Sequence, residues 1–182
     1  MTIEAYVIVS ANGMLADTSG VMPEALKFPA DQSFFENALD AADLIVHGRH
    51  SHEDQKRSAQ RRRVVVTSRV TTLAKDDALP HATLWNPAGA TFAEACAAAG
   101  VKSSAKIAII GGPAVYQLFL DRYDVFWLSQ AHRVQIENGL GVFPDVPAST
   151  PQQILTAHGL RAKEKRMLDR AANVDLTAWR RS

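Results

Sequence analysis

The sequence predicts an α/β protein with a mostly parallel sheet, and three observations support this fold class. Short apolar, β-rich runs alternate with helix-type segments through the middle of the chain. Two runs of alternating polar and apolar residues, near 160–168 and 173–181, are typical of an antiparallel C-terminal hairpin. With 47% hydrophobic and 21% charged residues, the 182-residue chain suits one globular domain spanning 1–182. We therefore expect three layers, with helices on both faces of the sheet.

The elements are predicted in a regular order along the chain. Strands are predicted at 3–10, 44–48, 63–69, 82–86, 106–112 and 123–130, and helices at 30–43, 49–57, 91–100 and 113–122. Residues 11–29, with two glycines and two prolines, are typical of a long functional loop. In the first helix either Asp31 or Ser33 is predicted to cap the N-terminus, and Ser33 and Glu36 have capping-box spacing.

Composition and charge narrow the possible partners. A net charge of +1 gives no broad basic field, so no nucleic-acid partner is expected. The basic run 56–63 has no interleaved aromatic residues for stacking on bases. No run of eighteen apolar residues is present, so no membrane-spanning helix is expected. The single cysteine and the absence of a secretory-type N-terminal pattern favour a cytoplasmic protein.

The stretch LIVHGRHSHE (44–53) joins a predicted strand to a predicted helix. Gly48 allows close approach of a ligand to the backbone, and Arg49 and Ser51 add donors for a phosphate. A plain turn with a surface arginine is an equally good interpretation. A metal site would use His47, His50 and His52, but the last two are only two residues apart and point in different directions on a helix. We therefore predict no metal.

Two other strand ends carry groups that suit an anion. Gly111 and Gly112 precede a helix that begins at Pro113, although small residues in a tight turn would look the same. The run Thr67-Ser68-Arg69 offers hydroxyls and a guanidinium. Three such strand ends in one α/β chain favour an extended dinucleotide, since ligands of these sheets bind beyond the carboxyl ends of strands.

Asp31 is the best candidate for an acid. It begins a helix that carries Phe34 and Phe35, and a carboxylate beside apolar rings has a raised pKa and can hold a proton. A simple helix N-cap is the commoner role for aspartate at such a position. The residues alone leave both interpretations open.

These pieces in this order resemble the dihydrofolate reductase superfamily over roughly residues 3 to 180, and most closely its riboflavin-biosynthesis reductases. GRHSH is similar to the family's Gly-Arg-x-Thr turn, and IIGGPAVY to its Ile-Gly-Gly-x-x-x-Tyr element with a cis Gly-Gly bond. The resemblance implies NADPH as cofactor and a set of binding residues. These are Gly48, Arg49, His50, Ser51, Ser68, Arg69, Ile110, Gly111, Gly112, Pro113, Ala114, Val115 and Tyr116, with Ser68 and Arg69 at the 2′-phosphate.

The resemblance also implies a substrate site. FPADQSFF is similar to the family's Leu-Pro-x-Asp-x-x-x-Phe segment, which makes Asp31 the substrate-anchoring acid and Phe35 a ring contact. Arg61 and Arg62 are available for a substrate phosphate. The implied activity is NADPH-dependent reduction of a pteridine or a riboflavin-pathway aminopyrimidine, by a homodimer.

Two alternatives remain open at this point, a dihydrofolate reductase proper and a non-catalytic NADP-binding module. The sequence departs from dihydrofolate reductases at Val21-Met22-Pro23-Glu24, where those enzymes have Pro-Trp. SANGMLAD (10–17) is closer to the riboflavin-type Ser-x-Asp-Gly-x-Ile-Ala, with Asn12 in place of the aspartate.

Overall fold

A computed structural model describes residues 1–51 and 53–181 of the chain. The strands are β1 (Thr2–Ser10), β2 (Met14–Ala16), β3 (Leu44–Gly48), β4 (Arg63–Val66), β5 (Leu73–Lys75), β6 (Ala82–Trp85), β7 (Lys106–Ile109), β8 (Val125–Ala131), β9 (Leu140–Gly141), β10 (Leu160–Asp169) and β11 (Val174–Arg181). The helices are α1 (Pro29–Asp40), α2 (Phe92–Ala98), α3 (Pro113–Leu118) and α4 (Pro151–Ala157). Short 3₁₀ turns lie at Glu24–Leu26, Ser58–Gln60 and Leu120–Arg122.

Nine strands form one sheet in the order β10-β11-β8-β1-β7-β3-β4-β6-β5. The six strands from β8 to β6 are parallel to one another. β11 and β10 extend the sheet antiparallel at one edge, and β5 does so at the other. The predicted α/β class, with a mostly parallel sheet and an antiparallel C-terminal hairpin, is confirmed.

Helices cover both faces of the sheet, because the central strands are apolar on both sides. Phe34 and Leu39 of α1 pack on one face, against Tyr6 and Trp127. The rings of the α2–α3 side, including Phe92, pack on the larger core of the other face. Within the described residues, each helix is too short or too polar to cross a bilayer.

The start of α1 differs from the prediction. The helix begins at Pro29, a favoured first position, and the extended residue before it, Phe28, makes no side-chain cap. Asp31 is therefore the third residue of the helix, and Ser33 lies further inside. Both N-cap predictions and the Ser33–Glu36 capping box are wrong, because Pro29 starts the helix before either residue.

The helix predicted at 49–57 is also wrong, since residues 49–51 and 53–57 have no helical structure. Side chains hold this segment in another path. The Ser58 hydroxyl donates to the Glu53 carbonyl (2.7 Å), and the Glu53 carboxylate binds Arg61 and Arg63 at 3.0 Å each. These contacts replace the backbone bonds of a helix, so Gly48 is not followed by a helix N-terminus.

Candidate active site

Asp31 lies in the first turn of α1, beside Ser129 near the carboxyl end of β8. Its side chain is buried, with 8% of the residue exposed. Burial raises the pKa of its carboxyl group, and a hydrogen bond from the Ser129 hydroxyl opposes that rise. A carboxyl group in this setting holds a proton to a higher pH than an exposed aspartate does.

Ser129 and Tyr116 complete the surroundings of Asp31. Ser129 is a fully buried residue of β8, and sequence reasoning missed it, although a polar side chain within the apolar run YDVFWLSQ was a usable signal. The Tyr116 hydroxyl donates to the Tyr6 carbonyl at 2.7 Å. Burial and then the charge of Asp31 raise the pKa of Tyr116 far above its usual range, so this phenol stays neutral.

The turn after β3 and the turn after β7 meet beside Tyr116. The Gly48 N–H donates to the Gly111 carbonyl at 2.6 Å. A Cβ atom on Gly112 would lie 2.9 Å from the Ser51 hydroxyl, so the two turns are in contact. The Gly111–Gly112 peptide bond is cis, as the resemblance implied. The structure therefore brings together two of the three strand ends that the sequence singled out.

Gly111 requires glycine for two separate reasons. Its φ is +102°, and a Cβ atom there would lie 2.8 Å from Cε2 of Tyr116. Gly111→Ala is expected to lower the free energy of unfolding by about 2–4 kcal/mol, combining backbone strain with overpacking. Gly100→Ala is the matched control, since Gly100 has a φ of +68° but no atom within 4 Å. Equal shifts of the two urea midpoints would show that Tyr116 relaxes without cost.

A cleft of about 330 Å³ continues from the Gly48 turn across the ends of β4 and β6. Arg49, Thr67 and Arg69 line it, together with His47, Val65, Asp76, Leu79 and Leu84. Arg49 donates to Nε2 of His50, an exposed residue, at 3.0 Å. Ser68 is exposed beside the cleft, so Thr67 is the hydroxyl that lines it.

His47, which the sequence offered only as part of a rejected metal site, has a structural place in the cleft. It is buried, forms part of the cleft wall, and its Nε2 lies 3.2 Å from Nη1 of Arg63. His52 lies outside the described residues. Among the residues that are described, no three His, Cys, Asp or Glu side chains group as metal ligands.

The prediction that Arg61 and Arg62 bind substrate is wrong. Arg61 is buried and bound to Asp40 (2.7 Å) and Glu53 (3.0 Å). Arg62 donates to the Gly100 carbonyl at 3.2 Å. Both residues precede β4, so they lie at the amino edge of the parallel strands, whereas Asp31 lies toward the carboxyl edge.

Comparison with known proteins agrees with this geometry. The model of the family described as dihydrofolate reductase matches residues 3–172. The chain belongs to the dihydrofolate reductase family. This is a family of reductases, and the fold of this member fits it.

Two solved structures show the same fold at low sequence identity. A putative riboflavin biosynthesis protein from Shewanella sp. PV-4 superposes with a TM-score of 0.71 at 16% identity, covering 100% of this chain and 99% of that one. Dihydrofolate reductase from Enterococcus faecalis, complexed with NADP(H) and RAB-propyl, gives 0.66 at 18% identity, covering 100% and 96%. No curated protein sequence matches this chain.

Proposed function

We propose that this protein is an NADPH-dependent reductase. Its substrate is a pteridine or a riboflavin-pathway aminopyrimidine, and in the second case it resembles a 5-amino-6-(5-phosphoribosylamino)uracil reductase. The observation that carries the proposal is the buried Asp31–Ser129 pair. It lies toward the carboxyl ends of the parallel strands, as does the arginine-lined cleft. An acid with a raised pKa beside an anion-binding cleft suits proton-coupled hydride transfer.

The residues present fit a phosphorylated dinucleotide. Gly48, Gly111 and Gly112 let the two turns pack directly on each other, with Ser51 held against Gly112 and Tyr116 against Gly111. Arg49 and Arg69 give the cleft two cations against one acid, Asp76. Guanidinium groups bind phosphate oxygens in a two-pronged geometry, so these two residues would hold the 2′-phosphate. NADPH, when bound, supplies the hydride.

Asp31 has two tasks in this proposal. Its carboxyl group accepts hydrogen bonds from N–H groups at the edge of the substrate ring, and it holds the proton that the reduced C=N bond takes up. The electrophilic carbon of that bond gains the hydride and its nitrogen gains the proton, directly or through water. In a pteridine the bond lies in the ring, and in the aminopyrimidine it joins the opened ribosyl chain to the exocyclic nitrogen. Ser129 positions the carboxyl group, and Phe35, one helical turn beyond Asp31, contacts the ring.

The amidine-like edge belongs to the pteridine, whereas the uracil ring of the riboflavin-pathway substrate has a carbonyl oxygen in place of the amino group and offers Asp31 only ring N–H groups. With Arg61 and Arg62 withdrawn, no cation is assigned to a ribosyl phosphate. The test is an assay of NADPH oxidation, once with dihydrofolate and once with the riboflavin-pathway pyrimidine. The loss of NADPH absorbance monitors the reaction. NADPH binding without oxidation by either compound would favour the non-catalytic module. A homodimer and a cytoplasmic location remain predictions of the sequence.

Arg69→Ala is expected to raise the Kd for NADPH by about tenfold to a hundredfold, because hydrogen bonds to charged groups contribute about 1.5–3 kcal/mol. The Kd for NADH, which lacks the 2′-phosphate, should change little. Arg170→Ala is the matched control, an exposed arginine of the β10–β11 turn. Calorimetric titration of both cofactors measures the effect. Equal losses for NADPH and NADH would remove Arg69 from the 2′-phosphate site.

A further inference from the structure

A second cavity, of about 310 Å³, lies among β8, β10 and β11, on the face of the sheet opposite Asp31. Ser129 reaches Asp31 from one face, and side chains alternate along a strand, so its neighbour Gln130 points to the other. Gln130 lines this cavity together with Asp175, its register partner on β11. The cavity is therefore separate from the proposed reductase site.

The buried carboxylate of Asp175, which is bound by Lys165 and His132, forms part of the cavity wall. Asp175 is 5% exposed, and its Oδ2 lies 3.0 Å from Nζ of Lys165 and 2.5 Å from Nε2 of His132. Gln152 donates to Gln130 at 2.9 Å, which joins α4 to the wall. These bonds fix the position of the polar groups before any ligand arrives, which lowers the entropy cost of binding.

The charge of the lining favours an anion. The charged lining residues are Lys163, Lys165 and Asp175, which leaves one positive charge in excess. Glu164, the neighbour of Lys163, forms its salt bridge with Arg180 at 3.1 Å, and Lys163 contributes a smaller attraction to that carboxylate. Within residues 1–51 and 53–181, Lys163 has no salt-bridge partner, so its ammonium group is available to a ligand.

The rest of the wall is apolar. Leu128, Ala162 and the ring of Trp179 contribute it, and a cavity of this size accommodates a small molecule. We infer that this cavity binds a small organic anion, a carboxylate or a phosphate monoester with a short apolar body. Lys163 and Lys165 bind the anionic head, and the Trp179 ring contacts the body.

Three tryptophans provide separate reporters for this site. The Trp179 ring lines the cavity, and its Nε1 is buried without a hydrogen-bond partner among the described residues. Trp127 donates to Glu4 at 2.7 Å on the face of α1. Trp85 donates to the Ala90 carbonyl at 2.8 Å and packs in the core, one residue after Leu84 of the proposed cofactor cleft. The three indole N–H resonances therefore report on three different places.

The experiment is an NMR titration of ¹⁵N-labelled protein with benzoate and with phenyl phosphate, using benzamide as the neutral match for benzoate. The Trp179 indole resonance is expected to shift along a saturating curve with each anion. The Kd obtained with benzamide should be at least about tenfold higher than the Kd for benzoate. Lys163→Ala should weaken benzoate or phenyl phosphate binding by about tenfold. Lys102→Ala, an exposed lysine outside the cavity, is the matched control and should titrate as wild type.

The two anionic probes distinguish the source of the charge, since tighter binding of one assigns the site to carboxylates or to phosphate monoesters. Lys163 is exposed, so its replacement leaves the fold intact. A Trp179 resonance that does not move at millimolar probe would overturn the proposal. So would equal binding of benzamide, unchanged binding by Lys163→Ala, or a shift confined to Trp85, which would place the anion away from this cavity.

Discussion

Asp31→Asn is expected to lower turnover by about two to four orders of magnitude, the usual contribution of a positioned general acid. Asparagine keeps the shape of the side chain but cannot hold the transferable proton. The Kd for NADPH should stay within about twofold, since the arginines of the cleft are unchanged. Glu36→Gln, on the same helix and without a part in the site, is the control. Turnover equal to wild type would refute the role of Asp31.

The same substitution should stabilise the protein at neutral pH. Burial raises the pKa of Asp31 above its value in the unfolded chain. Between those two pKa values the folded state binds more protons than the unfolded state, so the free energy of unfolding falls as pH rises through that window. The asparagine side chain of the variant does not titrate, so the variant has no such loss. Thermal melts from about pH 4 to about pH 9 should show the variant gaining on wild type as pH rises.

The pH dependence of activity provides a separate check on Asp31. If the protonated carboxyl group is needed, kcat/KM falls as pH rises through the raised pKa of Asp31. Ser129→Ala removes the hydrogen bond that lowers this pKa, so the falling limb should move to higher pH. A merely structural role of Ser129 would leave the limb in place. The shift of the profile is therefore the readout, rather than the rate itself.

The sheet was predictable because its signals are local. β1, β3 and β7 are short apolar runs, and the alternation in 160–168 and 173–181 marks the hairpin directly. The cis Gly111–Gly112 bond was implied only by the family resemblance, since a glycine pair alone is equally typical of a tight turn. Strands β2, β5 and β9, of two or three residues each, are too short to leave a periodic pattern.

The predictions that failed depend on contacts between distant residues. From the sequence alone, the basic run 56–63 offers cations for a substrate phosphate, because nothing in its spacing shows that Arg61 pairs with Glu53 and Asp40, eight and 21 residues away. The same contacts decide the path of 49–57, whose residues are compatible with a helix by propensity alone. Ser129 was missed for the same reason, since its partner lies on α1.

A second large effect is expected from the buried ion pairs of Glu53 with Arg61 and Arg63, which lie behind the cleft. Glu53→Ala should lower the free energy of unfolding by about 3–5 kcal/mol, the usual result of removing one member of a buried ion pair. Glu53 is 8% exposed, and each of its carboxylate oxygens accepts from one guanidinium, those of Arg61 and Arg63. Without the carboxylate, two buried cations lose the charge that they share.

Urea unfolding measures the loss, and Glu164→Ala is the matched control. Glu164 also pairs with an arginine, Arg180, but both side chains are exposed, so its loss should cost about 1 kcal/mol or less. An equally small change for Glu53→Ala would show that water or rearranged side chains replace the carboxylate. The Kd for NADPH should also rise. Glu53 anchors the chain beyond the Gly48 turn through Arg61 and Arg63, so loss of its carboxylate loosens that turn.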